Sequence, residues 1–186
     1  MNTIKNKILT FLTVALLSTV GVFADDSSVK NTDNLTKIER QVRSELITLP
    51  RVGVFDNLTF KVEGETVTLY GLVVEPSSRR SAEKRIAKIE GVATIINNIE
   101  VLPISGFDDR IREQALNTFV NRGGSLYRYL QGTNPSLRII VKNGNVTLEG
   151  IVTDKGDSRL ANILVNGIFG VFSVTNNLQV EKGKRL

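Results

Sequence analysis

Tyr127, Arg128 and Tyr129 stand side by side, with Arg122 a short way upstream. Tyrosine rings beside guanidinium groups suit a water–lipid boundary, where the ring is half wet and the cation meets phosphate. The other reading is an ordinary loop with one tyrosine packed on the core. Catalytic chemistry is poorly served. The chain has no histidine and no cysteine, hence no imidazole base, no thiolate nucleophile and no zinc site of the usual ligand types. Asp108, Asp109, Asp154 and Asp157 fall near helix starts, where carboxylates act as caps. The stretch DKGDS lacks the ligand spacing of a calcium loop. The expectation is a protein that is not an enzyme and carries neither cofactor nor metal.

The N-terminus reads as export machinery. Lys5 and Lys7 precede a mostly apolar run from Ile8 to Val22, and Val22-Phe23-Ala24 offers small residues for cleavage after Ala24. A retained membrane anchor is the competing reading. It needs about 20 apolar residues, and Thr10, Thr13, Ser18 and Thr19 dilute this run. Without cysteine no acyl anchor or disulfide forms, so the expectation is a periplasmic, non-lipidated protein. The 24 basic residues, less Lys5 and Lys7, against 19 acids give +3 for the processed chain. That is too weak to argue for nucleic acid.

A repeat sets the organisation. A shift of 79 lays residues 67–101 on 146–180 without a gap, and 13 of these 35 positions are identical. TVTLYGLV at 66–73 becomes NVTLEGIV at 145–152. Each copy reads as helix, strand, strand, helix, strand. In the first, Thr36 to Glu39 forms a capping box, and Ile38, Val42, Leu46 and Leu49 share a helical face. Leu58, Phe60 and Val62 alternate, as do Val67, Leu69, Gly71 and Val73. Ser78 is expected to cap the second helix and Gly91 to stop it; Asp157 and Gly170 take these parts in the second copy.

Ile111, Ala115 and Phe119 line the later copy's first helix, followed by Leu137, Ile139 and Val141 and an Asn143-Gly144 turn. The expected fold is α/β, an α+β sandwich of two tandem units with two helices on one face of each three-stranded sheet. The chain divides into a leader (1–24), a disordered segment (25–34), the first unit (35–102), a linker (103–106), the second unit (107–181) and a basic tail (182–186).

The string running from Gly64 through Val67, Leu69, Gly71, Val73, Ala82, Ile89, Gly91, Val92, Ile95, Asn97, Ile99 and Val101 resembles the BON-domain family. Val146, Leu148, Gly150, Val152, Ala161, Ile168, Gly170, Val171, Val174, Asn176, Leu178 and Val180 repeat it. A leader plus two such copies is similar to the group of osmotically inducible periplasmic proteins and their lipoprotein relatives. The resemblance implies a non-enzymatic envelope protein linked to phospholipid surfaces, outer-membrane integrity under stress or periplasmic chaperoning. It specifies fold more closely than activity.

Differences between the copies locate a surface. Lys84 becomes Ile163, Arg85 becomes Leu164, Ser81 becomes Leu160 and Glu90 becomes Phe169. Leu160 and Leu164 flank the core face of the helix, and Ile163 extends that ridge. The second copy also carries six extra residues around Tyr127 and Tyr129. Leu160, Ile163, Leu164, Phe169, Tyr127, Tyr129, Arg122 and Arg128 are therefore the expected lipid- or partner-binding residues. The bland alternative packs the ridge against the first unit or a second chain. Arg80, Lys84 and Lys88 recur at helical spacing in copy one and form a secondary basic patch, or simply a solvated face. Expected partners are an anionic phospholipid surface or unfolded envelope proteins, with no nucleic acid.

Overall fold

The computed structural model describes residues 26–181, with side chains from Lys37 onward; the expected leader and basic tail lie outside them. The first unit consists of α1 (Asp26–Ile47), β1 (Asn57–Glu63), β2 (Thr66–Val73), α2 (Pro76–Ile86) and β3 (Thr94–Val101). The second consists of α3 (Gly106–Arg122), a 3₁₀ helix (Gly124–Leu130), β4 (Leu137–Lys142), β5 (Asn145–Val152), α4 (Lys155–Asn166) and β6 (Ser173–Val180). Sheet orders are β1-β2-β3 and β4-β5-β6, each an antiparallel hairpin followed by a parallel partner. A parallel neighbour needs a crossover, which α2 and α4 supply. The expected architecture is present in both copies.

Several boundaries differ from expectation. α1 begins at Asp26 and runs through Thr36, so the capping box is interior and most of the segment expected to be disordered is helical. No Gly or Pro lies between Asp26 and Leu49 to stop the helix propagating backwards. α2 starts at Pro76, whose fixed φ suits a first helical position. Ser78 is thus inside the first turn, buried, and its hydroxyl has no hydrogen-bond partner. Asp154, not Asp157, caps α4 by accepting from the Asp157 amide at 2.9 Å. Gly91 and Gly170 lie beyond the helix ends, in the turns that lead into β3 and β6.

Each unit has its own core. Val42, Leu69, Val73, Ile86 and Ile99 meet in the first, and Phe119, Leu126, Leu137, Leu148 and Val165 in the second. Burial of each such side chain is worth about 1.5–3 kcal/mol. The repeated asparagines pin strand to helix: Asn97 and Asn176 accept from the amides of Ile99 and Leu178 and donate to the Arg79 and Ser158 carbonyls. Each asparagine thus makes a local bond within its strand and a second one across to the helix.

The two units also touch. Ile139 N–H donates to the Val54 carbonyl at 2.7 Å, and Arg138 to the Gly53 carbonyl at 2.6 Å. Lys142, at the other end of β4, pairs with Glu100. Asn57, Leu72 and Glu100 stand in register at one end of the first sheet. The ends of β4 therefore reach the two edges of that sheet end. Ile140, between them and on the face away from its own helices, is only 3% exposed. Val54 and Phe55 pack against the second core.

The repeated strand glycines are places of close backbone approach. A Cβ at Gly71 would lie 1.9 Å from the Asn57 carbonyl oxygen, and at Gly150 1.9 Å from that of Ser136. Their φ values are +120° and +118°, which side chains rarely adopt. Gly150→Ala should therefore cost about 3 kcal/mol, read as a lower urea midpoint with an unchanged slope.

Candidate binding surface

The six-residue insertion has an internal use. Its 3₁₀ helix delivers Tyr129 to the end of β5, where the phenol oxygen accepts the Thr153 amide at 2.9 Å. The same oxygen donates to Asp157, whose carboxylate also receives Ser125 and, at 2.6 Å, Arg128. Arg128 lies over the Tyr129 ring with its carbon 4.8 Å from the centroid. Two expectations are thereby corrected. Tyr129 is a core residue at 6% exposure, and the Arg128 guanidinium is committed to Asp157 and Tyr129. Both serve the fold because a buried carboxylate must be paired.

The first unit solves the same problem with other residues. Val74 is the counterpart of Thr153, and its amide donates to Asp56 at 2.7 Å. Burial pushes the Asp56 carboxyl up, against the Gly53 and Val74 amides and the charge of Arg138. Burial also pushes Asp157 up, but the bonds from Ser125, Tyr129 and Arg128 outweigh it and hold that carboxyl below its usual value.

The apolar ridge is divided. Leu160 and Leu164 are half-buried against their own core and do not project. Ile163 is 67% exposed and Phe169 92%. A groove of about 450 Å³ runs between α3 and the turn that follows α4, lined by Gln114, Asn117, Asn121, Arg122 and Phe169 among others. It brings the expected Arg122 and Phe169 together; Tyr127 is exposed on the 3₁₀ helix. The first unit has a matching groove of about 560 Å³ between α1 and α2, lined by Glu45, Arg85, Lys88 and Glu90. There Arg85 is paired with Glu45 at 3.2 Å, so the same fold is finished with charges. Arg80, Lys84 and Lys88 are exposed and unpaired among the described residues.

Sequence reasoning left Phe172 out of the site. It is 72% exposed, stacks on Phe107 at 5.7 Å and covers Gly144. The replacement of Ala93 by Phe172 between the copies was the available signal. Buried Asp108, accepting from the amides of Asn143 and Gly144 at 2.9 and 2.8 Å, braces that hairpin turn.

Paired α-β-β-α-β units of this size define a tandem domain protein. The chain belongs to the BON-domain family, whose model matches residues 34–103 and 108–182. BON domains are associated with membranes and phospholipid, a general envelope-associated role. Two solved structures of CdsD, a structural protein of the type III secretion system of Chlamydia trachomatis, are similar at low levels. One is 12% identical with a TM-score of 0.29, covering 78% of this chain and 94% of that one. The other, a C-terminal domain, is 14% identical with a TM-score of 0.27, covering 80% and 97%. No curated protein matches significantly.

Tyr129→Phe removes the hydroxyl that serves both Thr153 and Asp157, and should cost about 2 kcal/mol in chemical denaturation. Asp157 has a depressed folded pKa, so its stabilisation is present above the unfolded value near 4 and lost as pH falls through the folded one. Asp157→Asn should be less stable at neutral pH and lose less on acidification; parallel acid profiles would assign the pairing no role.

Proposed function

We propose that the protein is a non-catalytic, periplasmic envelope protein that supports integrity under stress by docking peripherally on anionic phospholipid through its second BON domain. The observation that carries this reading is the exposure of Phe169 beside Arg122 in the groove between α3 and the turn after α4, with Ile163 exposed on α4. The corresponding positions of the first domain, Glu90 and Lys84, are charged, so the fold does not require apolar side chains there. Large exposed apolar groups mark contact with another phase or partner. Each inserted side chain contributes about 1.5–3 kcal/mol, and a cation near an anionic surface about 1 kcal/mol.

Phe169, Ile163 and Tyr127 enter the boundary, and Arg122 meets phosphate. Leu160 and Leu164 hold the helix from beneath. Arg80, Lys84 and Lys88 add a weaker electrostatic attraction. The same exposed ring also favours a second reading, a chaperone that holds unfolded envelope proteins.

Salt separates the two, because attraction of cations to a charged surface is screened. Residues 25–186 should float with anionic vesicles at low salt, less at high salt, and poorly with neutral lipid. Ile163→Asp with Phe169→Asp should abolish flotation while leaving the thermal midpoint within a few degrees. Flotation unchanged in that variant would refute docking through this ridge, and absence of flotation with salt-resistant binding of an unfolded client would favour the chaperone.

A further inference from the structure

A slot of about 610 Å³ opens where the two domains meet. Ile47, Leu49 and Val52 form its wall on the first domain, and Leu116, Leu130 and Pro135 the wall on the second. Its volume lies in the range of small-molecule sites, which favour domain junctions and apolar linings with few polar groups. Arg51 is the one charged residue on the wall, and no acid lines it. Ile47 remains partly exposed in the last turn of α1.

Arg51 carries a second, independent signal. Among the described residues, two that are not glycine have positive φ: Asn143 at 52° and Arg51 at 67°. Asn143 sits in a hairpin turn that requires such a conformation. An arginine there is uncommon, and strained backbone gathers at binding sites because the fold holds a side chain where it is used. Here the strain sets the exposed guanidinium at the edge of an apolar slot.

We infer that the slot holds the alkyl chain of an anionic, single-chain amphiphile, with Arg51 meeting the head group. The apolar walls provide for the chain, and a single cation on a wall that no acid lines selects a negative head. A space of this size is too small for a folded partner. The site lies between the domains and does not use Phe169 or Ile163, so it is separate from docking on a bilayer surface.

The test uses dodecyl phosphate below its micelle-forming concentration, titrated into the processed chain and followed by amide NMR shifts. Saturable shifts over residues 47–54 and 130–135 are expected. Leu116→Trp, which fills the slot, should abolish them. Arg51→Gly relieves the positive φ, so it should keep or raise stability while weakening binding by about tenfold; Arg51→Lys should restore part of the loss. The Ile163→Asp, Phe169→Asp variant should bind as the parent does, which separates this site from the surface reading. The proposal is overturned by absence of saturation, by equal binding in Leu116→Trp, by inorganic phosphate binding as tightly as the amphiphile, or by self-association that accounts for the shifts.

Discussion

Each domain has only two helices to cover a three-stranded sheet, so one sheet face is sealed and the other is bare. That constraint shapes most of the molecule. The covered faces carry the apolar alternation of every strand, while the bare faces are largely polar, with Thr66, Thr68 and Asn98 in the first sheet and Thr147, Glu149 and Asn177 in the second. Apolar side chains on these faces, such as Tyr70, Ile96 and Ile151, stay exposed, but Ile140 does not: β4 reaches over the end of the first sheet, and this isoleucine is buried there between Arg138 and Lys142. The domain contact follows from the shortage of helices.

Comparison of the copies separates scaffold from adaptation. Gly71 and Gly150, and Asn97 and Asn176, do the same work twice with the same geometry. The donor at the end of the middle strand is treated differently. In the first domain Asp56 accepts it, whereas in the second Pro135 stands at the matching place and Tyr129 takes over. The position of unpartnered Ser78 becomes Asp157, which binds that tyrosine. Three positions and an insertion changed together because a buried phenol and a buried carboxylate satisfy one another.

Much of this was legible in the sequence. The gapless register gave the duplication, and period-2 alternation through Val67 to Val73 and Val146 to Val152 gave the sheets. Exposure of Ile163 and Phe169 followed from charged counterparts in the first copy. The destination of Tyr129 was not legible, because a tyrosine beside an arginine looks alike at a lipid boundary and over a buried acid; only the three-dimensional position of Asp157 decides. Helical spacing puts Leu160 and Leu164 on the right flank of the helix, but periodicity does not tell a projecting side chain from one leaning on the core. The domain contact leaves one trace in the sequence: Ile140 occupies an outward strand position where the first copy has Lys61.

The contacts between domains are a backbone bond at Ile139, an arginine on Gly53, the Lys142–Glu100 pair and the apolar packing of Ile140, Val54 and Phe55. As separate molecules the two domains would have to meet the cost of association from these contacts alone. Joined by the short stretch between Val101 and Gly106, each is confined near the other at an effective concentration in the mM range, and modest contacts suffice. The linker thus acts as a thermodynamic component of the interface, and severing it would let the halves drift apart with every contact residue intact.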